Sequence, residues 1–90
     1  PNRDDIYISL GNLHFSEERY KEAIDAYEMA VRIWPSSDNH YALGQAYMNA
    51  GRHSDADQEF NTVLRMDPDK PNGNYGLGLN FSGRAVMKMR

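Results

Sequence analysis

The fold is decided by Leu10-Gly11-Asn12-Leu13-His14-Phe15-Ser16-Glu17-Glu18-Arg19-Tyr20-Lys21-Glu22-Ala23-Ile24-Asp25-Ala26-Tyr27-Glu28-Met29-Ala30-Val31-Arg32-Ile33-Trp34-Pro35, because the chain repeats its pattern 33 residues on. Leu10, Gly11, Ala23, Tyr27, Ala30 and Pro35 map onto Leu43, Gly44, Ala56, Phe60, Val63 and Pro68. Arg19 falls on Arg52 and Arg32 on Arg65; a further 34 residues carries Leu43-Gly44 to Leu77-Gly78. Self-similarity at this period marks a repeat architecture. Stacked repeats build surfaces more readily than active sites, so the question becomes which partner and not which reaction.

Working outward, the apolar spacing inside each copy is helical. Ile6, Leu10, Leu13 and His14 form one stripe, and Tyr20, Ala23, Ile24, Tyr27, Ala30 and Val31 another. Ser16-Glu17-Glu18-Arg19 and Asn49-Ala50-Gly51-Arg52 read as the turns between paired helices, and Ser54 with Asp57 three residues on reads as a helix start. Pro35 and Pro68 cannot continue a helix and close their copies. Helices are expected near 4–16, 20–33, 37–50, 54–66 and 71–82. Glycine inside a helix costs up to about 1 kcal/mol relative to alanine, so Gly11 and Gly44 imply close approach of Ala23 and Ala56 on the facing helices. Tyr27 and Phe60 are expected to fill the space toward the following helix.

The pattern Tyr7, Leu10-Gly11, Tyr20, Ala23, Tyr27, Ala30, Pro35, with its second copy Leu43-Gly44, Tyr47, Ala56, Phe60, Pro68, resembles the tetratricopeptide repeat. The resemblance implies one all-α domain over residues 1–90, a right-handed superhelix (α-solenoid) of antiparallel helix pairs. Repeat 1 spans about 4–36, repeat 2 about 37–70, and a partial repeat or capping helix about 71–90. The third copy is weaker: Tyr75, Leu77-Gly78 and Phe81 fit a first helix, but residues 82–90 leave the pattern. Gly73, Gly76, Gly78 and Gly83 make a poor helix by propensity, so packing on the helix before it must hold it. Pro1 in place of Met suits a segment of a longer protein.

In this family the first helices of successive repeats line the concave face. The residues placed there for partner binding are Ile8, Asn12, Phe15, Tyr41, Gln45, Met48, Tyr75 and Leu79, with Asp5, Ser9, Ser16, Asp38, Ala42, Asn49, Asn72 and Gly76 beside them. Exposed aromatics and methionine among amides suit a contact surface. Family members that hold the C-terminal carboxylate of chaperones use a basic clamp; its places are occupied here by Ile8, Asn12, Ala42, Asn72 and Gly76, so only Asn12 fits and every cation is missing. No chaperone-tail binding is expected. Trp34, in the connection before Pro35, is either packed on the next helix or an exposed contact.

Composition narrows the function further. The chain has no Cys, a net charge of −3 and 40% hydrophobic residues, with a mean hydropathy of −0.79. That charge does not suit generic nucleic-acid binding, and no apolar run approaches the roughly 20 residues of a membrane span. Lack of Cys and of a targeting signal suits a cytoplasmic setting. His14, His40 and His53 have no metal-ligand spacing, and no nucleophile or phosphate-loop motif occurs, so no catalytic, cofactor or metal site is expected. His14 and His53 read as partly buried rings with a satisfied nitrogen. Residues 1–45 hold eight acids and four bases (−4), residues 46–90 five acids and six bases (+1), and no acid follows Asp69. The leading expectation is a non-catalytic scaffold holding a peptide or helix of a partner protein. Its rivals are a homo-oligomer formed through the incomplete third repeat, and the targeting or regulatory arm of a larger enzyme.

Overall fold

The computed structural model describes residues 3–88, with side-chain surroundings described as far as Ala85. Residues 1–2 and 89–90 of the expected domain lie outside the described residues. Five helices follow in order: α1 Asp4–Ser16, α2 Tyr20–Ile33, α3 Ser37–Asn49, α4 His53–Met66 and α5 Asn72–Lys88. Helix α2 packs against both α1 and α3, and α4 against both α3 and α5. The result is a helical-repeat solenoid, a slab of 44 × 31 × 16 Å.

Each α-α turn is built alike. Glu18 (φ 60°) and Gly51 (φ 83°), 33 residues apart, both take the left-handed conformation. The chain then re-enters a helix without a side-chain cap at Arg19 or Arg52. The expected start at Ser54 is therefore corrected to His53, because Asp57 is turned away to bind α5. Helix α3 does have a side-chain cap: Oγ of Ser36 accepts from the Asn39 amide at 3.1 Å. Buried Asn39 in turn donates to the carbonyl of Trp34 (2.9 Å) and to Asp4 Oδ2 (3.1 Å), tying repeat 1 to repeat 2. Unpaired, such a buried amide would cost about 1–3 kcal/mol.

The core is a column of Ala23, Ile24, Tyr27, Leu43, Ala46, Tyr47, Ala56 and Phe60. Fully buried Ala23 and Ala56 keep helix axes close, as their sequence positions imply. The aromatic fillers differ from expectation. A Cβ on Gly11 would lie 2.6 Å from Cδ1 of Tyr27, so the Tyr27 ring fills its own repeat. Phe60 reaches further: a Cβ on either Gly44 or Gly76 would lie 2.6 Å from its Cε1. The ring is therefore held between the first helix of its own repeat and that of the next. Burying such a ring fully is worth about 1.5–3 kcal/mol.

Helix α5 extends six residues beyond the expected end at 82. Its glycines explain why. Gly73, Gly76 and Gly83, with Asn80, share the face turned to α4: Gly73 meets the Leu64 backbone, Gly76 the Phe60 ring, and Gly83 the His53 ring. Fully buried Asn80 donates to the His53 carbonyl (2.8 Å) and Asp57 Oδ1 (2.6 Å), and its Oδ1 lies 2.6 Å from His53 Nδ1. Arg84 reaches Asp57 Oδ2 at 3.3 Å. These bonds outweigh the propensity cost of the glycines.

Candidate functional site

Helical periodicity sorts each first helix into three faces. One packs on the second helix of the preceding repeat, one on the second helix of its own, and the third is the concave face. On α1 that third face carries Ile8, Asn12 and Phe15; on α3 Tyr41, Gln45 and Met48; on α5 Tyr75, Leu79 and Ser82. The repeat period aligns them into three rows across the molecule: Ile8-Tyr41-Tyr75, Asn12-Gln45-Leu79 and Phe15-Met48-Ser82.

The rows are not uniformly free. Ile8, Phe15, Tyr41 and Met48 are half-buried and pack their inner surfaces against the core. Phe15 meets Tyr20 edge-on with centroids 5.3 Å apart, and Tyr41 lies 5.7 Å from the Phe60 ring. Tyr75 (59% exposed) and Leu79 (37%) stand outward. Burial raises the Tyr41 hydroxyl above its ordinary range, and neighbouring Tyr75 adds to the effect, so these two phenols converge at the groove. Asn12 accepts from the Tyr27 hydroxyl at 2.5 Å through Oδ1, leaving Nδ2 to donate outward. Gln45 is half-buried, its carbonyl accepting from Asn49 Nδ2 at 2.8 Å. The expected residues thus share one face as a shallow surface and line none of the clefts.

No cation stands on these rows. The fifth clamp place, Gly76, has its side-chain space filled by Phe60, so no lysine or arginine could be seated there without displacing the core. Among the described residues no group of three His, Cys, Asp or Glu side chains could hold a metal ion. No helix among them is long and apolar enough to cross a membrane. His40 and His53 have structural roles between helices: His40 Nδ1 lies 2.7 Å from Glu59, linking α3 to α4. His14 departs from expectation, since its buried Nδ1 has no hydrogen-bond partner. Trp34 is 57% exposed, beside Pro35, Ser36 and Met66 at a cleft of about 290 Å³, and so is not covered by the next helix.

The sequence stripe Ile6-Leu10-Leu13 was expected to be buried and is not: these residues are 67%, 42% and 55% exposed. Ile6 and Leu13 match Asn39 and Ala46, which α3 buries against α2. Helix α1 has no such neighbour among the described residues. Periodicity identified the apolar face; it could not show that nothing lies against it.

Comparison with known proteins agrees with this geometry. The tetratricopeptide repeat profile matches residues 5–37, and a second profile of the same description matches 37–70. The chain is similar to Superkiller protein 3 of Schizosaccharomyces pombe, 36% identical over 64 residues, covering 70% of this chain and 5% of that protein. It is also similar to the peroxisomal targeting signal receptor of Saccharomyces cerevisiae, 26% identical over 77 residues, covering 84% and 13%. A third relative is the tetratricopeptide repeat and J domain-containing co-chaperone DNJ1 of Cryptococcus neoformans, 30% identical over 69 residues, covering 76% and 13%. The chain therefore spans a small part of each relative's length.

Proposed function

The chain belongs to the tetratricopeptide repeat family of helical protein-interaction modules, and on that premise we propose that its concave face holds a peptide or helix of a partner protein. The observation that supports this is the alignment of three rows of apolar and amide side chains across α1, α3 and α5. Tyr75 and Leu79 supply open apolar area, the outer edges of Ile8, Phe15, Tyr41 and Met48 extend it, and Asn12 and Gln45 offer bonds to main-chain amides. Relatives whose printed names are a targeting signal receptor and a co-chaperone are compatible with a segment-binding role.

The ligand is a segment with apolar side chains and no requirement for a terminal carboxylate. A carboxylate on these rows would forgo charge-assisted bonds worth roughly 1.5–3 kcal/mol each. Binding should accordingly change little with salt, since screening acts on charges the rows lack. The test is to select peptides from a displayed library on the whole chain and measure their affinity by calorimetry. A Tyr75→Ala/Leu79→Ala variant should lose at least tenfold, because both side chains are open and their removal leaves the core intact. Selected peptides that bind this variant as well as the parent chain would sink the proposal.

A further inference from the structure

Two faces of the slab are uncovered, one at each end, and they differ in kind. At the α1 end stand Ile6 and Leu13, with a cleft of about 290 Å³ between α1 and α2 lined by Tyr7, Leu10, His14 and Met29. Glu22 and Asp25 form its acidic rim. At the α5 end, Gly78 is the third copy of Gly11 and Gly44, yet a Cβ on it would have nothing within 4 Å. Phe81, which matches buried Tyr47, is 73% exposed on the same side. No acid occurs in the sequence after Asp69, whereas Arg84, Lys88 and Arg90 do.

We propose that copies of this chain associate head to tail, the α5 face of one seating on the α1 face of the next. Inside the molecule every face of these two kinds is covered by a helix: α2 covers the Asn39-Ala46 side of α3, and α4 covers the Gly44-Tyr47 side. At the ends each open face offers the helix that the other lacks. Gly78 lets the α5 axis approach closely, and Phe81 one turn on is an aromatic knob for the apolar cleft. The acidic rim and the basic end of the sequence select this orientation over head-to-head contact, where acids would oppose acids. Symmetric α5-to-α5 contact would leave Ile6, Leu13 and the cleft uncovered. Because the two surfaces are different patches, the contact is heterologous and adds copies in an open series.

Sedimentation of the whole chain tests this. The weight-average mass should climb past that of a dimer across a hundredfold rise in concentration. A Phe81→Glu variant and an Ile6→Glu/Leu13→Glu variant should each be monomeric alone, with unchanged helical circular dichroism because all three side chains are exposed. Mixed in equal amounts they should form a dimer and stop there, since each keeps one intact face. A parent chain that stays monomeric throughout would overturn the proposal. So would an Ile6→Glu/Leu13→Glu variant that dimerises alone, which would mean that α5 pairs with itself. None of these readouts depends on the concave face.

Discussion

Glu18 and Gly51 occupy the same turn position, but only one has the side chain that position favours. A left-handed backbone costs a residue with a Cβ roughly 1–2 kcal/mol, and glycine escapes that cost. Glu18→Gly should therefore stabilise the fold by about 0.5–1 kcal/mol, and Gly51→Ala should destabilise it by about 1–2 kcal/mol, read from urea midpoints. Tyr47 makes a second residue-scale prediction. Its hydroxyl is held well above the usual phenol range, first by burial and then by its bond to Glu28 at 2.7 Å and that carboxylate's charge. The unfolded chain releases this proton near pH 10 while the folded chain keeps it. The contribution is thus complete below about pH 10 and is lost as pH rises toward the folded value. Urea midpoints should fall more steeply above about pH 10 for the parent chain than for Tyr47→Phe. Parallel curves for the two would contradict the assignment.

At the scale of the element, α5 is the informative helix. Its neighbouring glycines predict opposite outcomes. Gly76→Ala would drive a methyl group into the Phe60 ring and should cost about 1–3 kcal/mol. Gly78→Ala meets nothing and should stabilise the helix by up to about 1 kcal/mol. Thermal melts of the two variants check the contrast, and equal shifts would refute the packing described. The same helix shows what was legible in the sequence. The repeat period and the prolines yielded α1 to α4 within a residue at each end, because local spacing and the chain's own echo both encode them. The end of α5 was not legible. Gly83 reads as a breaker by propensity, and only three-dimensional proximity to His53 and the Asn80-Asp57-Arg84 bonds reverses that. The concave residues were legible as positions on a face. Their burial was not: Tyr41 and Phe15 look alike with Tyr75 in sequence, yet the first two are half-covered by the core.

On the scale of the whole molecule, three surfaces carry the account: a concave one of three aligned rows and two end faces of unlike chemistry. The end faces concern how copies meet, and the concave rows concern what the module holds. Binding at the rows is the central claim, and backbone amide chemical-shift mapping with a selected peptide tests it most directly. The account predicts that the largest perturbations fall on Ile8, Asn12, Tyr41, Gln45, Tyr75 and Leu79, along α1, α3 and α5 together. Perturbations confined to the outer surfaces of α2 and α4, or to the Trp34-Met66 cleft, would contradict it.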